Sequence, residues 1–299
     1  MALTISKQIN MQLDPVKHVV NHNGATSIFN AFVRSLLTRE DEVILVQPCY
    51  LWYPALHNHG ITFKLTKSMI DEENFKHAEI DFDNMRSLIN ERTKYIVIIN
   101  PTNPDGRVWT RAELTKLAEI VRDNPHITVL SDEVYNRHIF DDIEFVPFAT
   151  LDGMFERSIT MYSFGKVFYC TGWRVGGASG PEHLIKPMKD FIRQNTDGVN
   201  VLSKMAIGYA LKLAEEPYEG YNTYYEWNVK DFEYRRERVS TILRETKICD
   251  FDILDTMGTY CFIVNVEKVL KKVPMKYYYM MTGIPESEKR ERITSFEEY

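Results

Sequence analysis

The stretch YIVIINPTNPDG, residues 95–106, joins an unbroken apolar run to a rigid turn. Five apolar residues in succession are typical of a strand that is buried on both faces, and two Asn-Pro steps followed by a glycine end it abruptly. Apolar runs of the same kind occupy residues 43–46, 127–130 and 158–162. The repetition predicts several buried strands that lie side by side.

Segments with helical periodicity separate these runs. Apolar residues share one face over residues 28–37 and another over residues 114–121, and the second segment follows a capping box formed by Thr110 and Glu113. Alternating strands and helices predict an α/β fold with a mainly parallel sheet sandwiched by helices. Ligands of such sheets bind at the carboxyl ends of the strands, so the residues that follow each strand are the first candidates for chemistry.

The pattern changes in the last third of the chain. Residues 221–244 read as one long amphipathic helix, and residues 251–254 and 260–264 read as short strands. We therefore predict a large domain over residues 1–220, and a linking helix with a partial, smaller C-terminal α+β domain over residues 221–299. A chain of 299 residues is long enough for two such units.

Composition excludes several classes of function. The net charge is −6, so the chain has no excess of basic residues, which argues against a nucleic-acid partner. The 4 cysteines form no C-x-x-C pair, so neither a metal site nor a disulfide framework is expected. No apolar run reaches the length of a membrane span, and the first residues lack the order of a signal peptide. These features predict a cytoplasmic protein, with a mitochondrial location left open.

Lys166 is the strongest candidate for catalysis. It follows a buried strand within a turn that begins Ser163-Phe164-Gly165, and an apolar setting there favours the neutral amine that forms a Schiff base. Arg174, eight residues further on, has the forked guanidinium that clamps a phosphate. Taken alone, the two residues are more typical of a surface loop lysine and a solvated arginine than of a cofactor site.

Two polar motifs follow other strands. Asp132 stands at the end of the run 127–130, where a carboxylate can keep a pyridine nitrogen protonated, although an aspartate there also commonly opens a helix. Asn103 lies in the turn quoted above, where its amide can face a ring hydroxyl or a substrate carboxylate, or simply serve the turn.

Two further motifs lie nearer the N-terminus. Gly24 and Ala25 lead into the first periodic helix, where backbone N–H groups are free to bind an anion, although an ordinary helix entry has the same appearance. Tyr50 follows the strand at 43–46, and its ring can stack on a flat cofactor or belong to the core. Each motif is weak alone, but all five follow one another at predicted strand ends.

In combination these motifs resemble the class I/II aminotransferases, which have fold type I and depend on pyridoxal 5′-phosphate (PLP). The resemblance rests on Gly24-Ala25-Thr26, the turn at 100–106, Ser131-Asp132-Glu133-Val134-Tyr135, Ser163-Phe164-Gly165-Lys166 and Gly172-Trp173-Arg174. The finer resemblance is to kynurenine–oxoglutarate aminotransferases, also known as cysteine-S-conjugate β-lyases. It rests on residues 151–157 and 257–262.

The resemblance implies a role for each matching position. Lys166 would bond the cofactor covalently and move the proton at the substrate's α-carbon, and Asp132 would pair with the pyridine nitrogen. Tyr135 and Asn103 would bond the phenolic oxygen, with Asn103 also reaching the substrate carboxylate. Tyr50 would stack on the cofactor ring. Ser163 and Arg174, together with the backbone at Gly24 and Ala25, would hold the phosphate.

The resemblance also implies a function. It is transfer of an amino group from a kynurenine, glutamine or aromatic amino acid to a 2-oxo acid in amino acid metabolism, with β-lyase side activity, by a homodimer. The family's N-terminal arm and its C-terminal carboxylate-binding arginine have no match here, and Arg290 and Arg292 do not replace that arginine. The alternative is therefore an impaired relative that binds PLP, or dimerises, without turnover.

One rival enzyme class matches the same lysine. Ser163-x-x-Lys166 fits the S-x-x-K motif of serine β-lactamases and penicillin-binding proteins, whose S-D-N and K-T-G motifs should follow downstream. Ser131-Asp132 lies upstream and continues with Glu133, and no K-T-G occurs. This reading is rejected.

Overall fold

A computed structural model describes residues 1–50, 53–196, 198–246, 251–266 and 268. In chain order its strands are β1 (Val19–His22), β2 (Glu42–Leu45), β3 (Thr62–Leu65), β4 (Ile70–Asp71), β5 (Lys76–His77), β6 (Thr93–Ile99), β7 (Thr128–Asp132), β8 (Ser158–Ser163), β9 (Gly176–Ser179), β10 (Asp252–Ile253) and β11 (Val264–Asn265). Its α-helices are α1 (Ala2–Ile9), α2 (Ala25–Leu36), α3 (Phe82–Leu88), α4 (Arg111–Asp123), α5 (Phe164–Val167), α6 (Glu182–Thr196), α7 (Val201–Leu213) and α8 (Tyr224–Glu245).

Seven strands form the central sheet, in the order β1-β9-β8-β7-β6-β2-β3. The five from β8 to β3 run parallel, whereas β9 is antiparallel to both of its neighbours, β8 and β1. The predicted mainly parallel α/β sheet is therefore confirmed. The four predicted apolar runs correspond to β2, β6, β7 and β8.

The sheet separates two apolar cores because successive side chains of a strand point to opposite faces. Val43 and Leu45 pack on one side with Phe32 of α2, which is completely buried. Ile44 packs on the other side with Trp109 and the apolar face of α4. This two-sided burial explains why the strand sequences are continuously apolar instead of alternating.

Helix ends also follow the sequence signals. Thr110 caps α4, and its side chain and that of Glu113 each bond the other's backbone N–H, so the predicted capping box is confirmed. The amphipathic segment predicted over 221–244 forms α8, which begins at Tyr224 and ends at Glu245. Within the described ranges, no helix has both the length and the apolar character needed to cross a membrane.

The C-terminal strands differ from the prediction. Residues 251–254 contain the short strand β10, but the predicted strand over 260–264 is wrong for residues 260–263, because β11 begins only at Val264. Thr259 has a left-handed backbone (φ 67°), and its hydroxyl accepts a hydrogen bond from the N–H of Cys261, so the chain turns where an extended strand was expected. The domain boundary at 220/221 stays a prediction, and Arg290 and Arg292 lie outside the described residues.

Candidate active site

A cavity of about 130 Å³ opens at the carboxyl ends of the central parallel strands. The register brings its parts together, because Ile99 of β6 pairs with Asp132 of β7, and Asp132 pairs with Met161 of β8. The N-terminus of α2 closes one side. The residues that line the cavity are Ala25, Thr26, Phe29, Tyr50, Tyr53, Asn103, Asp132, Val134, Tyr135, Met161, Ser163, Lys166, Thr171 and Arg174.

Lys166 reaches the cavity from α5, which begins immediately after β8. Its side chain is half-buried, and its Nζ donates a hydrogen bond to the Tyr260 hydroxyl at 2.6 Å. The same Nζ lies 5.7 Å from the ring centroid of Tyr135 and 5.3 Å from that of Tyr260. Both distances suit cation–π attraction, so two aromatic rings and a hydroxyl surround the amine.

Asp132 is the buried acid of the cavity. Burial raises the pKa of its carboxyl to about 6, against the opposing effects of a hydrogen bond from the Tyr53 hydroxyl, one from the Val134 N–H and the positive charge of Lys166. The carboxyl is therefore mostly ionised at neutral pH. An ionised, water-excluded carboxylate is suited to hold a proton on a ring nitrogen.

Asn103 and Tyr135 meet on one wall, although 32 residues separate them. The Asn103 amide Nδ2 donates to the Tyr135 hydroxyl at 3.2 Å. Burial is the largest of the effects that raise the pKa of Tyr135 well above its ordinary value, so this hydroxyl keeps its proton at neutral pH. Tyr50 is half-buried beside them, with its ring edge-on to that of Tyr53.

The opposite end of the cavity is suited to an anion. Gly24 precedes α2 with φ 83°, and the first N–H groups of a helix have no partners within it. Arg174 extends toward this helix start, where its guanidinium donates to the backbone carbonyls of Thr171 (3.1 Å) and Asn23 (3.3 Å). The φ of 83° favours glycine at position 24, and a Cβ atom there would lie 2.5 Å from Nη2 of Arg174, so the guanidinium would have to move.

The structure brings the nine predicted site residues together. Eight of them line the cavity, and Gly24 borders it through its contact with Arg174. Sequence analysis missed Tyr53 and Tyr260. Tyr53 had a usable signal, because it lies three residues after Tyr50 in the same aromatic stretch, whereas Tyr260 is 94 residues from Lys166 and had none.

A family model described as aminotransferase class I and II matches residues 1–294. The chain belongs to this family. It is 31% identical over 282 residues to kynurenine–oxoglutarate transaminase of Dictyostelium discoideum, covering 88% of this chain and 62% of the relative. It is also 31% identical over 244 residues to aspartate/prephenate aminotransferase of Cereibacter sphaeroides, covering 81% and 58%. The chain spans about three-fifths of the length of these curated relatives.

Solved structures agree with this family assignment. The fold matches N-succinyldiaminopimelate aminotransferase from Mycobacterium tuberculosis with a TM-score of 0.81 and 28% identity, over 93% of this chain and 69% of that one. It matches the aromatic aminotransferase from Pyrococcus horikoshii with a TM-score of 0.79 and 26% identity, over 94% and 71%. The predicted fold type I is confirmed.

Members of this aminotransferase family depend on PLP. The cavity fits that cofactor on two observations. Asp132 is a nearly fully buried carboxylate that faces the same space as the Lys166 amine, and the Arg174 guanidinium lies beside Gly24 at the start of α2, where Ala25 and Thr26 also line the cavity. An amine, an acid and an anion pocket are the three groups that an aldehyde-bearing pyridine phosphate needs.

Proposed function

We propose that this chain is a PLP-dependent aminotransferase that moves an amino group from an amino acid to a 2-oxo acid. One observation carries the proposal: the Lys166 amine, the Asp132 carboxylate and the anion pocket beside Arg174 all line a single cavity. PLP, when bound, supplies an electron sink that stabilises negative charge on the substrate's α-carbon. The protein residues position the cofactor and handle the protons.

Each site residue has a proposed role. Lys166 would hold the cofactor covalently and would move the proton of the substrate's α-carbon. Asp132 keeps the pyridine nitrogen protonated, since its carboxyl is mostly ionised above about pH 6. Tyr135 and Asn103 bond the phenolic oxygen, and Asn103 also reaches the substrate carboxylate.

The remaining roles are packing and phosphate binding. Tyr50 would pack against the cofactor ring. Ser163 and Arg174, together with the backbone of Gly24 and Ala25, would hold the phosphate. A guanidinium and helix N–H groups are well matched to a phosphate dianion because they combine charge with several donors.

The amino donor is proposed to be of the kynurenine, glutamine or aromatic type, with cysteine-S-conjugates cleaved as a side reaction. The named activity of the Dictyostelium relative supports this choice. Aspartate and prephenate, named for the relative from Cereibacter, are the competing substrates in any assay.

The first experiment tests the cofactor site without requiring turnover. Purified chain is mixed with PLP and its visible absorption is recorded, then compared with Lys166→Ala and with Lys94→Ala as a matched control at an exposed lysine. We expect a visible band that Lys166→Ala abolishes and Lys94→Ala retains. A folded protein with no band would refute the proposed function. Kynurenine, glutamine and aspartate are then added, and loss of the band with each donor ranks them.

We also propose that the chain forms a homodimer. Four large hydrophobic side chains on α7 are at least 65% exposed: Val201, Leu202, Met205 and Tyr209. A contiguous apolar face of this kind is typical of an interface between copies. Light scattering of the wild type and of Leu202→Lys tests the proposal, and a monomeric wild type would contradict it.

A further inference from the structure

Tyr260 approaches Lys166 from the segment that precedes β11. Its hydroxyl accepts the 2.6 Å hydrogen bond from Lys166 Nζ, and it also accepts a longer bond of 3.4 Å from the Tyr135 hydroxyl. The rings of Tyr260 and Tyr135 meet edge to face, with centroids 5.3 Å apart. The Tyr260 side chain therefore contacts both the reactive amine and Tyr135, which also lines the cavity.

The backbone that presents Tyr260 is held on both sides. The Thr259 N–H donates to the carbonyl of His138 at 2.9 Å, and the Met257 N–H donates to the carbonyl of Gly106 at 3.1 Å. Gly258 fits between these loops only as glycine, because a Cβ atom there would lie 2.6 Å from the His138 carbonyl oxygen. The segment is thus wedged between the turn that carries Asn103 and the loop after β7.

Thr259 has an unfavourable conformation at this point. A β-branched residue at φ 67° is a backbone outlier that costs on the order of 1 kcal/mol or more, and such residues concentrate at functional sites. Burial of an apolar ring does not explain the arrangement, because Tyr260 is 39% exposed. The turn at Thr259 directs the Tyr260 hydroxyl toward the Lys166 amine.

We propose that Tyr260 is a positioning residue that holds the Lys166 amine in the cavity whenever that amine is not bonded to the cofactor. The inference rests on the proposed function, in which the amine alternates between a bonded and a free state. The hydroxyl and the two rings hold the free amine, the hydroxyl by the 2.6 Å hydrogen bond and the rings by their contact with Nζ. Because residues 256–260 carry Tyr260, their position also determines where the free Lys166 amine is held.

The test measures the reactivity of Lys166 in the full chain without PLP. Trace acetic anhydride labels every lysine, and mass spectrometry gives the labelling of Lys166 relative to exposed Lys94. The hydrogen bond to the Tyr260 hydroxyl must break before the amine can attack the reagent, so Tyr260→Phe, which keeps the ring, should raise the ratio about two- to tenfold. The control is Tyr234→Phe, at a hydroxyl on α8 that is 70% exposed, and it should leave the ratio unchanged.

Gly258→Ala provides a second route to the same result. It retains the Tyr260 hydroxyl but displaces the backbone that presents it, so the ratio should again rise. A ratio that changes less than about twofold in Tyr260→Phe, in a protein with wild-type near-ultraviolet circular dichroism, overturns the proposal. If Tyr260→Phe itself fails to fold, Gly258→Ala decides.

A second readout uses the cofactor. If Tyr260 stabilises the free amine, then Tyr260→Phe should need about two- to tenfold more methylamine to displace Lys166 from PLP, followed by the visible band. An unchanged methylamine midpoint also overturns the proposal. The labelling experiment needs no PLP, so absence of the visible band would refute the proposed function alone, and the contact between Tyr260 and Lys166 would still be tested.

Discussion

Glu133 is a buried acid beside the cavity, and its replacement by glutamine should stabilise the protein as the pH rises. Glu133 is only 1% exposed, and its Oε1 accepts hydrogen bonds from the Ser131 hydroxyl (2.9 Å) and the Phe148 N–H (3.1 Å). Burial, assisted by the negative charge of Asp132, raises the pKa of Glu133 to about 8 against these two bonds. At neutral pH the side chain is therefore mostly a neutral acid.

The magnitude follows from the pKa. Each pKa unit corresponds to about 1.4 kcal/mol, so the rise from the ordinary 4.5 to about 8 sets a ceiling of about 5 kcal/mol. Between these values the folded state holds a proton that the unfolded state has released. The free energy of unfolding of the wild type therefore falls as the pH rises through this window. Glutamine can accept the same two hydrogen bonds without any titration.

The assay is urea unfolding of wild type and Glu133→Gln at about pH 5, 7 and 9. The two proteins should differ little at the lowest pH, and the variant should be more stable by about 2–5 kcal/mol at the highest. Taking the difference between the two proteins removes the titration of other groups. Glu156→Gln, at an exposed position, is the matched control. An advantage of Glu133→Gln that does not grow with pH would refute the reasoning.

Three further predictions address other parts of the molecule. Gly24→Ala strains the backbone at φ 83° and displaces the Arg174 guanidinium, so PLP affinity, titrated by the visible band, should fall about tenfold. Unchanged affinity would argue against the anion pocket. Nδ1 of His77 lies 3.4 Å from the Asp105 carboxylate, and although burial lowers the pKa of His77, the negative charge of Asp105 and the hydrogen bond with the Asp255 carbonyl raise it overall. The stability that the charged His77 contributes is present below about pH 6.5 and is lost as the pH rises above its folded pKa. In urea unfolding, His77→Gln should therefore cost about 1 kcal/mol at low pH and little at high pH. A cost that is constant with pH would contradict this. Phe32→Ala should cost about 3–5 kcal/mol in the same assay because Phe32 is completely buried, and a cost below about 1 kcal/mol would place it outside the core.

Much of the fold was predictable because its signals are local. A strand buried on both faces must be apolar throughout, so residues 95–99 and 158–162 identified β6 and β8. The capping box at Thr110 identified the start of α4 for the same reason, since its hydrogen bonds span only three residues. The antiparallel β9 was not predicted, because its sequence, GGAS, carries neither an apolar run nor an alternation.

The gathering of the site residues was also predictable. Parallel strands place their carboxyl ends at one edge, so motifs that each follow a strand must converge there, as Asn103, Asp132 and Lys166 do. The order of strands and motifs determines which residues share a cavity. The atoms that meet there depend on side-chain distances, which the order of residues leaves undefined.

The sequence by itself determined the parallel sheet, the family resemblance and the residues at the strand ends, since periodicity and motif order are properties of neighbouring residues. Only the tertiary structure decided that the Tyr53 hydroxyl bonds Asp132, 79 residues away, and that Tyr260 contacts Lys166. Both contacts join segments that are distant in the chain. The turn at Thr259, immediately before the predicted strand over 260–264, is stabilised by the loops packed around it rather than by its own sequence. The physical reason is the same in each case: a contact between distant segments exists only after the whole chain has packed.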